Sequence, residues 1–371
     1  MSPIVHHCSD REGAVGGRMT LTRGHGGREF RAGSRMSGRG ELVERATERL
    51  ARRRVGLVVG GGPSTEMSIA SGGDDGRGEV PDAGTLFEIG SITKTFTALL
   101  LADGVIRGDW RLDTPVRDLV PAGVEVPSRD GVQITLQHLA THTAGLPRSP
   151  VRLGLRENVA YLRTGADPYA GLTEDDVLQS VCDARLTRVP GRGKPKYSNL
   201  GFGLLGTAMT TGTGLDFGTL VRDRVCGPLG MADTVVDAQM TTDQRRRTAV
   251  GFRSRRRPAD PWPLAGIAGA GALRSTASDM VRYLAAQVDP ASTGLGDAIR
   301  LTHATPPGGP QQMGLGWHRA GDQSLWHNGG TGGFRSIAIM SPGSGTVVLA
   351  LVNQNRGADL TAFRLMRLLD A

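Results

Sequence analysis

Lysine is nearly missing from a strongly basic chain: of 44 basic residues only Lys94, Lys194 and Lys196 are lysines, and arginine supplies the rest. A lysine here asks for a reason beyond charge. Cysteine is scarce as well. Cys8, Cys182 and Cys226 are odd in number, far apart and never in a Cys-X-X-Cys pair, which argues against a disulfide framework or zinc site and predicts reduced thiols. No apolar run approaches the roughly 18 residues of a membrane helix. No apolar segment of about 7 to 15 residues leads to a small-residue cleavage site, so a cytoplasmic location without membrane attachment is expected. Also missing are a Gly-X-Ser-X-Gly elbow, a Walker lysine, a Gly-X-Gly-X-X-Gly opening a helix and a His-Glu-X-X-His pair.

The net charge of +8 raises the question of nucleic acid, and its distribution answers it. Residues 1–54 hold twelve arginines against six acidic residues, leaving only +2 for the remainder. No nucleic-acid partner is therefore expected for the body of the protein. Residues 1–40, rich in Gly and Arg and without apolar periodicity, are expected to be an unstructured extension, with Met19 and Met36 as alternative starts.

The folded part is expected from residue 41. Leu42, Ala46 and Leu50 recur every four residues beside the pairs Glu41/Arg45 and Glu48/Arg52, which predicts a helix over 41–54. Strands over 55–60 and 66–70 follow, joined by a Gly-Gly-Pro turn. The middle of the chain reads as helices, over 96–106, 175–181, 201–209 and 217–225. A helix over 277–287, strands over 313–318, 334–340 and 347–353, and a helix over 360–369 complete it. Strands at both ends and helices between them predict an α+β fold in which 41–92 and 262–371 form a mainly antiparallel sheet. Residues 93–261 form a helical subdomain on it, with a ligand cleft at the junction.

Lys94 lies three residues after Ser91, where the helical pattern begins, so the two share a helix face. A serine hydroxyl is a poor nucleophile until a neighbour takes its proton, and arginine, always protonated, cannot do that. A buried lysine loses basicity and is able to act as that base or to steer one. Tyr197-Ser198-Asn199 precedes another helical run. A tyrosine beside cations is expected to ionise below its reference pKa of about 10 and become a candidate base. Asn199 either caps the helix or donates its amide to a substrate carbonyl. Trp326-His327-Asn328-Gly329-Gly330 reads either as a Gly-rich hairpin turn or as an edge strand. In the second case the Gly330 N–H, opposite that of Ser91, completes a two-donor oxyanion hole.

Together the three elements resemble the serine β-lactamase and penicillin-binding-protein superfamily, most of all its class C β-lactamase-related branch. That branch also contains D-Ala-D-Ala carboxypeptidases, D-amino-acid peptidases and family VIII esterases. Ser91-X-X-Lys94 is similar to its first motif, Tyr197-Ser198-Asn199 to its Tyr-X-Asn motif, and His327-Asn328-Gly329 stands in place of Lys-Thr-Gly. The segments Thr141-His142-Thr143-Ala144-Gly145-Leu146-Pro147 and Gly227-Pro228-Leu229-Gly230-Met231 extend the likeness over most of 41–371. His142 is read as structural, shaping a turn.

The resemblance implies a β-lactamase/transpeptidase-like fold and an acyl-enzyme on Ser91, with Lys94 and Tyr197 managing its proton. It further implies that Asn199, His327, Asn328, Gly329 and Gly330 contact the substrate or its oxyanion, and that neither a metal nor an organic cofactor is needed. His327 in place of the motif lysine supplies no permanent cation for a substrate carboxylate. The expected substrate is therefore a small ester, amide or peptide, with an esterase or peptidase favoured over a β-lactamase or D-Ala-D-Ala carboxypeptidase. A noncatalytic ligand-binding or scaffold protein of the same fold is the competing class.

Overall fold

The computed structural model describes residues 20–23, 38–51, 56–64, 66–150, 155–254, 257–321 and 324–371. Its main sheet has seven strands: β1 (Thr20–Arg23), β2 (Leu57–Pro63), β3 (Ser68–Gly72), β4 (His318–Arg319), β5 (Leu325–Gly330), β6 (Arg335–Ser341) and β7 (Thr346–Val352). They lie in the order β1-β3-β2-β7-β6-β5-β4, and every neighbouring pair is antiparallel except β1 with β3. Five helices frame the sheet and the cleft: α1 (Gly38–Ala51), α2 (Thr93–Arg107), α3 (Asn199–Thr213), α4 (Ala277–Val288) and α5 (Asp359–Leu369).

Every residue of β7, Thr-Val-Val-Leu-Ala-Leu-Val, is buried, because helices cover both faces of the sheet. Side chains alternate along a strand. Val347, Leu349 and Leu351 therefore enter the large core with Phe96 and Leu99 of α2, while Val348, Ala350 and Val352 enter a smaller core with Val43 of α1 and Leu365 of α5. Each such valine, leucine or phenylalanine, fully buried, stabilises the fold by roughly 1.5–3 kcal/mol. Helix α2 is buried without a break from Thr93 to Ala102, as a helix at the centre of a molecule must be. That placement puts Lys94 out of reach of water.

Several expectations shift. The glycines of Gly60-Gly61-Gly62 belong to β2 rather than to a turn, because Met67 and Leu369 lie where side chains on Gly60 and Gly61 would stand. Of the run expected over 313–318 only His318, the first residue of β4, is in a strand, with Met313 touching it as an isolated bridge. The helix expected over 217–225 ends at Val221 and continues as a wider π-turn, Arg222–Cys226. Leu325–Gly330 is a strand, which decides between the turn and strand readings of the third motif. Within residues 1–40, Thr20–Arg23 adds β1 to the sheet edge and α1 starts at Gly38, so the extension is not wholly without structure. Backbone pairing needs no apolar periodicity, which is why composition missed β1. Cys8, Met19, Met36 and Arg52 lie outside the described residues.

Candidate active site

Ser91 sits in a single 3-10 turn, Gly90–Ile92, that runs directly into α2. Its own N–H is in the first turn, where no preceding helical carbonyl is available to accept it. The turn is anchored from behind: Ile89 N–H donates to the Leu273 carbonyl at 3.1 Å, and the Ile89 carbonyl accepts from Ser336 Oγ at 2.8 Å. Glu88 accepts from Trp262 N–H at 3.0 Å and pairs with buried Arg274 at 3.2 Å, tying a pocket wall to the same turn.

Lys94 is fully buried, and its Nζ has three neighbours: Ser91 Oγ at 3.1 Å, Asn199 Oδ1 at 2.9 Å and the Ala270 carbonyl at 2.6 Å. Burial, reinforced by the nearby Arg148 charge, holds its pKa well below the usual lysine range. A neutral amine has two hydrogens and one lone pair. Asn199 Oδ1 and the Ala270 carbonyl can only accept, so they take the two hydrogens and the lone pair faces Ser91.

Tyr197 donates to Ser91 Oγ at 2.6 Å. The expectation that this tyrosine ionises below 10 is reversed: burial pushes its pKa up to about 12, outweighing the Ser91 hydrogen bond and the Arg148 charge. Lys94 Nζ does lie over the ring, 4.8 Å from its centroid, but desolvation dominates the shift. Ser91 Oγ thus accepts from Tyr197, and with Lys94 in its neutral form it gives its own hydrogen to Nζ.

Asn199 does not cap α3. Ser198 does, accepting from Gly201 N–H at 2.9 Å, which frees the Asn199 amide to turn towards Lys94. His142 is structural, as read. It adopts φ 58°, its Nδ1 accepts from Ser198 N–H at 3.2 Å, and its ring lies 4.6 Å from that of Tyr197. Burial holds it well below the ordinary histidine range, so it braces the Tyr-Ser-Asn segment as a neutral ring.

Strand β5 pairs with β6 along its whole length but with β4 only at Leu325 and Trp326, leaving 327–330 as a free edge against the Ser91 turn. Thr331 N–H closes the β5–β6 hairpin on the Phe334 carbonyl at 3.1 Å. The next pair, Gly330 with Arg335, is then of the non-hydrogen-bonded kind, and the Gly330 N–H points to the free edge. Gly90 is there: with φ 51°, a Cβ on it would stand 2.7 Å from Gly330 N. A side chain on Gly329 would run into the Ile89 carbonyl, so glycine is required for this close approach.

The structure separates the polar members of the third motif. His327 is buried on the Tyr197 side, ring centroids 6.2 Å apart, and its Nδ1 donates to the Asn328 carbonyl at 2.7 Å. Burial, with His318 and Lys94 nearby, keeps it neutral, well below the usual range. Asn328 alternates to the opposite face and reaches Asp359 of α5 at 3.4 Å, so its side chain is not brought to Ser91. Ser91, Asn199, Ala270 and Gly330 line one pocket with Tyr169 and Trp262. Tyr169, Trp262, Arg148 and the Ala270 carbonyl were not singled out from sequence; the Gly-Ala-Gly run at 269–271 is a faint signal for a close backbone approach. A roomier pocket near Gly203 and Phe217 contains none of the motif residues, and chemistry rather than size assigns the site.

A family model described as Beta-lactamase matches residues 41–371. The D-alanyl-D-alanine-carboxypeptidase/endopeptidase AmpH of Escherichia coli (strain K12) is 29% identical over 307 residues, covering 77% of this chain and 74% of that protein. Penicillin-binding protein 4 of Amycolatopsis lactamdurans is 26% identical over 301 residues, covering 75% of this chain and 74% of that protein. Among solved structures, a beta-lactamase/D-alanine carboxypeptidase from Yersinia pestis complexed with citrate superposes with a TM-score of 0.74 at 25% identity. The match covers 90% of this chain and 99% of that one.

Proposed function

The chain belongs to the beta-lactamase family and is a beta-lactamase-related serine hydrolase, and on that premise we propose that it cleaves an ester or amide bond through an acyl-enzyme on Ser91. The observation that carries this reading is the hydrogen-bond direction at Ser91 Oγ, which accepts from a protonated Tyr197 and faces the lone pair of a neutral Lys94. As Oγ attacks the substrate carbonyl, its proton passes to Lys94. The oxyanion forms between the N–H groups of Ser91 and Gly330, where fixed donors act without reorganising. Collapse expels the alcohol or amine, which takes a proton from the Tyr197 hydroxyl, and the Lys94 ammonium restores it. A water then attacks the acyl group, giving its proton back through the same pair as Ser91 leaves.

Esterase or peptidase-like turnover is favoured over β-lactam hydrolysis because the position of the motif lysine holds a buried, neutral His327. Residues 41–371 are the catalytic unit. A cytoplasmic location fits the free thiols of Cys182 and Cys226, and no helix among the described residues is long and apolar enough to cross a membrane.

A panel of p-nitrophenyl esters, D-alanyl peptides and a chromogenic cephalosporin, run on wild type and Ser91→Ala, tests the reading. Ester or peptide turnover should exceed cephalosporin turnover and vanish in the variant at unchanged melting temperature. Turnover that survives in Ser91→Ala overturns it, as does complete inactivity of the wild type, which favours a scaffold.

A further inference from the structure

We propose that Arg148 determines the specificity of this site by selecting substrates whose acyl group ends in a carboxylate; the inference rests on the acyl-enzyme reading above. Most of the positive charge near Ser91 is absent or engaged. His142 and His327 are held neutral, and Lys94 works as a free amine. Arg335 donates to the carbonyls of Thr331 at 3.1 Å and Phe334 at 3.0 Å, and Arg274 is paired with Glu88. Arg148 differs from all of these. It is exposed, and among the described residues its guanidinium has no ion pair and no hydrogen-bond partner.

Its position is nevertheless fixed. The Arg148 carbonyl accepts from Asn199 N–H at 2.7 Å, and the neighbouring Pro147 carbonyl accepts from Ser198 Oγ at 2.6 Å, so the backbone is locked to the Tyr-Ser-Asn segment. The guanidinium then lies over the Tyr197 ring, 5.1 Å from its centroid. Stacking of this kind limits the rotamers of an arginine and leaves the edge of its N–H fork free, a geometry suited to a planar carboxylate. Tyr197 serves the departing group through its hydroxyl edge, whereas Arg148 stands over the ring face and is joined to Asn199, which lines the pocket beside Ser91. This separation of the guanidinium from the hydroxyl edge that serves the departing group is what assigns the cation to the acyl side in the proposal.

The test compares two aryl esters of equal acyl length, mono-p-nitrophenyl glutarate and p-nitrophenyl valerate, with wild type, Arg148→Met and Arg148→Lys at one pH. Both esters depend on Lys94, so any effect of the lost charge on that base cancels in the ratio of their kcat/KM values. The ratio should favour the glutarate in the wild type, weaken with added salt, and fall about tenfold or more in Arg148→Met, mostly through KM. Arg148→Lys should restore part of it. A ratio unchanged in Arg148→Met, or a wild-type preference for an ester bearing its carboxylate on the leaving group, overturns the proposal. Ester turnover that survives in Ser91→Ala is a different failure: it removes the acyl-enzyme reading itself.

Discussion

Tyr197 donates its hydroxyl hydrogen to Ser91 Oγ across 2.6 Å, and burial keeps that hydrogen in place by raising the phenol to about 12. The donor is present below that pKa and is lost as pH rises through it. The pH profile of kcat/KM should therefore show no tyrosine-linked basic limb until close to 12. Tyr197→Phe should lower kcat by about 10²- to 10⁴-fold, the range of a general acid–base group. Phenolate absorbance followed alongside the rate checks the assignment; a Tyr197-dependent limb at 10 or below contradicts it.

Lys94 has the opposite sign of behaviour. Its working form is the neutral amine; burial lowers its pKa and so raises the share of that form at any given pH, with activity lost as pH falls through the lowered value. Lys94→Arg carries a charge that cannot be shed and should reduce kcat by about 10²-fold or more across the accessible pH range. Stopped-flow acylation rates against pH decide this, and an arginine variant with near-normal acylation removes Lys94 as the base.

Gly329 lets β5 press on the turn that carries Ser91. Gly329→Ala sets a methyl group against the Ile89 carbonyl, so strand and turn must part. Overpacking of this kind costs about 1–3 kcal/mol, and a displacement near 1 Å at reacting groups costs about 10²-fold in rate. Thermal melting and ester turnover should both fall.

Strand β1 lies at the far end of the sheet from β5. Removal of residues 1–37 should therefore leave kcat/KM within about twofold and lower the melting temperature by a few degrees at most, since one short edge strand is lost. A large loss of activity would place the extension nearer the cleft than the sheet order allows.

Much of this architecture was legible because periodicity reports burial. The pattern over 96–106 became α2 and that over 347–353 became β7, and the rarity of lysine singled out Lys94 before any geometry was known. What stayed hidden depends on tertiary packing. The direction of the Tyr197 shift is set by desolvation, which sequence neighbours do not report. The Ala270 carbonyl is a backbone atom, and a run of His-Asn-Gly-Gly looks like a turn until Ile89 is seen pressing on it. Arg148 is one of 44 basic residues and carries no local signal; only its stack on Tyr197 sets it apart.

The central claim is a covalent acyl group on Ser91, and rapid acid quench during turnover of a p-nitrophenyl ester, followed by peptide mass mapping, reads it directly. The adduct should sit on the peptide containing Ser91 and be absent from Ser91→Ala. An adduct on any other residue, or turnover in the wild type with no trapped adduct under conditions that show a kinetic burst, would contradict the account.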